Sequence, residues 1–333
     1  MTLTPSSPYK SIIRGLGAYV PEKVLTNFDL EKMVETTDEW IRTRTGIVTR
    51  HIAAKGQCAS DLGLEAAKEA LANAKLKPSD IDLIIVATIT PDMFFPSTAC
   101  NIQNKLGAKC GAFDMAAACS GFTYAIATAD SFVRSGMYQN VLVVGTEVLS
   151  GFIDWTDRAT CVLFGDGAGA AVVSRSTQNG HGIVCNILGS DGSEGELLNI
   201  PGGGSACPPS QESVKNKQHF LKMQGTELFK IAVRTMEDAV KEVVAKGGLK
   251  VSDINCLIPH QANMRILQAV AERLEIPLEK VFINVERYGN MSSASTAVAF
   301  YEAVKNGKIK EGDNVVLVAF GGGLTWAATL IRW

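Results

Sequence analysis

Cys119 is the residue on which a chemical reading of this chain turns. It stands between the small, strand-like run 112–118 and a helical period that holds from Gly121 to Ser135-Gly136. A thiol at a strand-to-helix junction meets unpaired backbone N–H groups and the positive end of the helix dipole. Such a setting lowers a thiol pKa from about 8.5 to roughly 3.5–7.5, so a thiolate nucleophile is expected here at neutral pH. Taken singly, a cysteine is more often a small buried hydrophobe, and this chain has eight. Two more residues have types that could answer it: His260, at the end of the apolar run 254–259, and Asn290, after Gly289 in a run of small residues. Alone, a histidine after a strand is more often structural, and an asparagine after glycine is more often a turn residue. The three become a reaction centre only if the fold brings them together.

The elements that would do so repeat. The segment 76–87 (Leu-Lys-Pro-Ser-Asp-Ile-Asp, then apolar) is echoed by 249–260 at an offset of 173 residues, each copy following an amphipathic helix. The segment 135–145 is echoed by 306–320 at nearly the same offset. Two echoes in one helix–strand context argue for internal duplication. The chain is therefore expected to form two α/β halves, 1–184 and 185–333, each a helix-covered mixed or parallel sheet. The offset carries Cys119 onto Ser292, ahead of a helix expected over 297–304, and Ala87 onto His260. If the halves pack about a pseudo-twofold axis, the two helix N-termini face one another near the strand ends, where α/β sheets bind ligands. Cys119, His260 and Asn290 would then converge. Ser292 and Ser293 read as helix caps.

The remaining segments set limits. A chain of 333 residues, 46% hydrophobic and 20% charged, can bury large cores, and its formal charge of −2 argues against broad nucleic-acid or membrane-surface binding. No cysteine pair has C-x-x-C spacing and the four histidines are scattered, so no metal is expected. An irregular start ahead of Ser11 lacks the apolar core of a secretory signal, and no apolar run nears the ~20 residues that span a bilayer. A reduced, intracellular protein is the expectation, cytoplasmic or within an organelle. Capping boxes are expected at Thr26–Asp29 and Thr36–Glu39. Gly15-x-Gly17 lacks the following helix of a dinucleotide site, the glycines of 165–170 read as tight packing, and 201–218 reads as a polar loop.

Four ordered motifs, Ala118-Cys119-Ser120-Gly121-Phe122, Pro259-His260-Gln261-Ala262-Asn263, Gly289-Asn290-Met291-Ser292-Ser293 and Phe320-Gly321-Gly322-Gly323-Leu324-Thr325-Trp326, resemble the condensing enzymes of the thiolase superfamily. Within it the pattern is similar to the β-ketoacyl-acyl-carrier-protein synthase III family, and the likeness runs over 10–333, including Asp38-Glu39-Trp40-Ile41. A Cys-His-Asn set separates this group from the Cys-His-His and Cys-His-Cys patterns of elongating synthases and thiolases. The resemblance implies a thiolase-like α/β fold, two similar halves in five α-β-α-β-α layers, a homodimer, and no metal or permanently bound cofactor.

It also implies roles. Cys119 would take the acyl group of an acyl-CoA, acetyl-CoA first in expectation, with the backbone N–H groups of Cys119 and Gly322 as oxyanion donors. His260 and Asn290 would stabilise the enolate formed as malonyl-acyl-carrier protein loses CO₂, giving a 3-oxoacyl-carrier product and starting a fatty acid. The coenzyme A thioester is then a substrate. Trp40 and Arg158 would sandwich its adenine, Arg44 and Arg158 would lie near its phosphates and Asn263 near its pantetheine. Phe95 would reach across the dimer into the partner's acyl pocket, or else pack in a core. Lys230, Arg234 and Arg265 could form a patch for an acidic carrier protein, although Lys230 and Arg234 are equally read as a solvated helix face. Rival readings are a synthase of another 3-oxoacyl product, an inactive acyl- or carrier-binding protein, and a cysteine hydrolase using His260 as a base.

Overall fold

The structure is a computed structural model describing residues 9–176 and 180–333. Most of the irregular start lies outside the described residues. One sheet holds strands β1 (Lys10–Tyr19), β2 (Leu83–Ala87), β3 (Gly111–Met115), β4 (Asn140–Glu147) and β5 (Gly167–Ser176), in the order β1-β5-β4-β2-β3. The other holds β6 (Gly182–Ser190), β7 (Cys256–Pro259), β8 (Asn314–Gly321) and β9 (Thr325–Arg332), in the order β6-β9-β8-β7. The first four positions match strand for strand. Across these four positions β2 pairs in parallel with β4, and β7 with β8, while the other neighbours are antiparallel; β3, beyond them in the first sheet, pairs with β2 in parallel. The fifth position is a full strand only in the first sheet; its counterpart is one parallel bridge, Leu257 to Val281. The sheets divide between Ser176 and Gly182, so the boundary expected at residue 184 falls inside β6, which pairs with β9 along its length.

The strands β2, β4, β5, β7 and β8 are small or apolar runs buried on both faces, and the period of two decides what each residue meets. Ile84 and Val86 point outward onto helices α1 (Ala59–Ala74) and α2 (Thr98–Leu106). Leu83 and Ile85 point inward onto α3 (Gly121–Arg134). In the second sheet Val316 and Val318 meet α4 (Gly225–Lys246) and α5 (Met264–Arg273), while Val315 and Leu317 face inward toward α6 (Ser293–Lys305). Helices α3 and α6 thus lie between the sheets, giving the five layers expected. Glycine makes the close approach possible: a Cβ on Gly169 would lie 2.5 Å from Ala297 Cβ, so the glycines of 165–170 serve packing, as their sequence suggested. Among the described residues no helix is long and apolar enough to cross a membrane.

Three local expectations shift. The strand expected over 112–118 ends at Met115, because Ala118 takes φ +45, outside any strand. Helix α6 begins at Ser293, four residues before expected: Ser293, Ala294, Ser295 and Thr296 are fully buried, and packing overrides their weak propensity. The capping box at Thr26–Asp29 is present, but in the next helix (Asp38–Thr45) Thr37, rather than Thr36, accepts the capping bond from Trp40 N.

Candidate active site

Cys119 sits in a single 3₁₀ turn, Ala118–Ser120, between β3 and α3. The hydroxyls of Ser120 and Thr325 both bind Ala117 O, at 2.7 and 2.9 Å, which ties this turn to β9 of the other sheet. On the second half, β7 ends and His260 follows, its N–H bonded to Val318 O at 2.8 Å. Asn290 is held by the first half: its N–H donates to Leu163 O at 2.8 Å and its C=O accepts from Gly165 N at 3.0 Å. Gly289 before it has φ +64, and a Cβ there would meet Leu163 O at 2.7 Å, so this turn requires glycine. The N-termini of α3 and α6 face one another, with a Cβ on Gly121 only 3.5 Å from Ser293 Cβ.

The three residues line one cavity of about 760 Å³, together with Arg44, Phe229, Asn263 and Gly321. A second, largely apolar cavity of about 230 Å³ lies beside the thiol, bounded by Ile89, Leu149, Phe164, Leu198, Ile200, Leu221, Ser292 and Gly322. Cys119 is therefore the wall shared by a larger polar-mouthed chamber and a small greasy one. Leu198 and Ile200 precede, and Leu221 follows, the loop expected over 201–218; their contribution to this floor was not anticipated.

The electrostatics correct one expectation and strengthen another. Burial pushes the Cys119 thiol up to about 12, with the Glu147 carboxylate raising it further; only the Ser292 hydroxyl and its own N–H act in the opposite sense. The resting thiol is thus protonated, not the thiolate expected from its junction, because desolvation outweighs the helix end. Burial drives His260 down to about 3, so the imidazole is neutral at physiological pH. Both ring nitrogens are buried without a partner, leaving them for a ligand in the chamber. Asn290 is oriented too: its Oδ1 accepts from Ser292 N at 2.8 Å, which leaves its amide N–H₂ as the free end.

The other expected residues divide. Gly322 lines the small cavity, whereas Gly321 is the glycine packed on Cys119: a Cβ there would lie 2.5 Å from Cys119 N. Arg44 and Asn263 line the chamber, and Asn263 Oδ1 caps α5 by accepting from Ile266 N at 2.9 Å. Trp40 and Arg158 do not line it, but lie beside its lining residues Arg44 and Ala159. The Arg158 guanidinium is 4.9 Å from the Trp40 ring centroid. A purine between them needs about 7 Å, two van der Waals contacts, so Arg158 must swing out to admit one. Lys230 and Arg265 stand at the chamber, but Arg234 does not. Lys230 pairs with Glu227 and Arg234 with Asp238 on exposed helix surface, which blunts the basic patch. Phe95 is 85% exposed and Phe94 80%, so core packing of Phe95 within this chain is excluded. Ser292 makes no capping bond, contrary to expectation; Ser293 instead donates toward Ala87 O and Glu147 Oε1, each at 2.9 Å. Glu147, a fully buried carboxylate, carried no sequence signal beyond closing the run 140–147. Among the described residues no cluster of side chains could hold a metal.

Residues 113–192 match the family model described as 3-oxoacyl-[acyl-carrier-protein (ACP)] synthase III, and residues 244–333 match that of the synthase III C terminal. A beta-ketoacyl-[acyl-carrier-protein] synthase III of Caldanaerobacter subterraneus is 56% identical over 322 residues, 96% of this chain and 97% of its own. The crystal structure of 3-oxoacyl-[acyl-carrier-protein] synthase III from Aquifex aeolicus superposes with a TM-score of 0.91 at 51% identity, covering 97% of this chain and 100% of that one. The priming beta-ketosynthase of the R1128 polyketide pathway gives 0.90 at 35% identity, covering 99% and 98%.

Proposed function

The chain belongs to the 3-oxoacyl-[acyl-carrier-protein] synthase III family, and from that premise we propose how its residues carry the reaction. The protein is an acyltransferase of the condensing type: an acyl-CoA primer, acetyl-CoA in the first instance, condenses with malonyl-acyl-carrier protein to give 3-oxoacyl-acyl-carrier protein, CO₂ and coenzyme A. This step initiates fatty-acid synthesis. Cys119 attacks the primer thioester, and its acyl chain lies in the apolar cavity of about 230 Å³. The oxyanion is met by the N–H groups of Cys119 and Gly322. His260 and Asn290 then hold the thioester oxygen of the malonyl group while CO₂ leaves. Both are neutral donors, as enolate stabilisation without proton abstraction requires. The observation that carries this reading is the single chamber lined by Cys119, from one half, and by His260 and Asn290, from the other.

A histidine held near pKa 3 is a poor base at neutral pH, which disfavours the cysteine-hydrolase reading. Both substrates arrive as activated thioesters, so the chemistry needs no resident cofactor. Coenzyme A enters along Arg44 and Asn263, with its adenine between Trp40 and a displaced Arg158. The carrier protein approaches by Lys230 and Arg265, with Arg234 further along the helix. We propose a homodimer formed along β3, the edge strand of the first sheet, whose outer side has no partner strand among the described residues and exposes Phe113. The exposed Phe94 and Phe95 precede α2 beside it, and Phe95 would close the partner's acyl cavity. The division into halves follows the sheets, at 177–181.

Intact-protein mass spectrometry tests the reading. Acetyl-CoA should add one acetyl group on a Cys119 peptide, and malonyl-acyl-carrier protein should discharge it with formation of the 3-oxoacyl carrier. A protein that stays unmodified with acetyl-CoA and with longer or branched acyl-CoAs would contradict it.

A further inference from the structure

The two donors of the proposed second step, His260 and Asn290, must reach one oxygen together, and such donors act only within about 2.7–3.1 Å of it. They stand on separate loops. Asn290 is fixed against the first half by its backbone bonds to Leu163 and Gly165. What fixes it against His260 is a run of side chains that the reaction itself does not use. Gln261, the residue after His260, is buried; its Nε2 donates to Pro259 O at 2.8 Å and to Phe282 O at 3.1 Å. Its Oε1 accepts from Asn284 N at 2.9 Å. Asn284, also buried, stands at the start of the single helical turn Val285–Tyr288 that leads through Gly289 to Asn290. Three side chains of this segment converge on one carboxylate, Glu302, near the end of α6. Asn284 Nδ2 donates to its Oε2 at 2.9 Å, Arg287 Nη2 to Oε2 at 2.7 Å and Nη1 to Oε1 at 2.8 Å, and Tyr288 Oη to Oε1 at 2.7 Å. The arginine fork is bidentate, the strong form of such a pair. The Glu302 side chain is only 13% exposed. Burial raises its pKa, but the guanidinium and the other two donors outweigh burial and hold the carboxyl below its ordinary range. Lys230 and Glu227 pair within one exposed helix, whereas Glu302 ties its own helix to the segment that carries Asn290.

We propose that Glu302 is a positioning residue for the condensing step: by gathering Asn284, Arg287 and Tyr288 it sets Asn290 against His260, at the separation from which both donors meet the thioester oxygen of the malonyl group. This rests on the condensing reaction proposed above. Glu302 lines neither cavity beside Cys119, so it acts through Asn290 and not on substrate. Without its carboxylate the buried Asn284 amide loses its acceptor, and the Arg287 and Tyr288 side chains lose their anchor. The turn then relaxes, and a misplacement of about 1 Å at Asn290 costs about 10²-fold in a step that needs both donors. Cys119 is placed by other contacts, the bonds of Ser120 and Thr325 to Ala117 O. Loading of the acyl group is therefore spared.

The test compares the two half-reactions in the full-length enzyme, for wild type, Glu302→Ala and Glu302→Gln. Acetyl loading from acetyl-CoA is read by intact mass. CO₂ release by the acetyl-enzyme is read with malonyl-acyl-carrier protein labelled in its free carboxyl. Glu302→Ala should load acetyl at the wild-type rate but release CO₂ about 10²-fold more slowly at saturating carrier. Its KM for malonyl-acyl-carrier protein should hold, since Glu302 binds no substrate. Glu302→Gln keeps one acceptor oxygen and should recover part of the lost rate. A role in stability alone would lower the unfolding midpoint without separating the half-reactions. Wild-type CO₂ release in Glu302→Ala, or loading and release falling by the same factor, would overturn the positioning role. Should Glu302→Ala fail to fold, Glu302→Gln, which preserves the shape of the side chain, decides on the same split: slowed release with intact loading supports the role, and both unchanged or both slowed alike overturn it. Wild type that loads no acetyl group or releases no CO₂ would instead overturn the condensing reading beneath it.

Discussion

The two halves share a strand order and place a helix N-terminus at the same point, yet they use that point differently. In the first, Ala118 at φ +45 turns the chain so that the next residue, Cys119, shows its thiol to the cavity. In the second, Ser292 at φ +47 holds the equivalent corner, and the residue two before it, Asn290, shows its amide instead. In the proposed reaction one half thus presents the nucleophile and the other a pair of neutral donors. Backbone strain of about 1–3 kcal/mol per such residue is kept at both corners, whereas the other described non-glycine residues at positive φ, Lys75, Lys217 and Glu275, are exposed. On that proposal, a duplicated fold that closes face to face would let one repeat hold the acyl group while the other activates the extender, within one chamber.

The sharpest break in this comparison is removal of the nucleophile. Cys119→Ala should abolish acyl loading altogether, read as loss of the acetyl mass increment, while the fold persists. Next comes the seam between the halves. Gly321→Ala puts a Cβ 2.5 Å from Cys119 N and 3.1 Å from Ser120 N. The nucleophile turn must shift, and loss of an aligned oxyanion donor should lower kcat about 10²–10³-fold.

A third prediction concerns stability and belongs to the second half. Burial holds the His260 pKa at about 3 in the folded chain against an ordinary 6.5, so the unfolded chain binds the extra proton between these limits. Stability is fully present above pH 6.5 and falls with acidification, by up to about 1.4 kcal/mol per pH unit from this group. His260→Gln should flatten that part of the pH dependence in denaturant melts; an unchanged slope would contradict the burial of a neutral imidazole. The smallest effect lies outside both halves' chemistry. Trp40→Ala should raise the KM for acyl-CoA only about 2–5-fold, the worth of an exposed cation–π contact, and leave kcat in place.

Much of this organisation was legible in the sequence because duplication writes itself twice. The offset that aligns Leu83 with Cys256 also carried Ala87 onto His260 and Cys119 onto Ser292, and Cys119 and Ser292 do line one cavity. What escaped has a common physical cause, which is burial by distant segments. The thiol pKa follows from total desolvation, invisible from a strand-to-helix junction. Glu147 lies just past the echoed segment 135–145 and nothing local marks it; only the converging Thr88, Thr90, Ile89 and Ser293 single out its carboxylate. Ser292 reads as a helix cap until its missing capping bond is seen. The exposure of Phe95 was likewise undecidable locally, since an exposed phenylalanine and a core one look alike in sequence.

The division of labour is tested most directly by measuring the two half-reactions separately in variants of each half. Acetyl loading and CO₂ release from malonyl-acyl-carrier protein are followed in Cys119→Ala and His260→Ala. The predicted result is a crossed one: Cys119→Ala releases CO₂ but takes no acetyl group, and His260→Ala takes the acetyl group but loses CO₂ release by about 10²-fold or more. Loss of both half-reactions in both variants, each shown to be folded, would contradict the assignment of one step to each half.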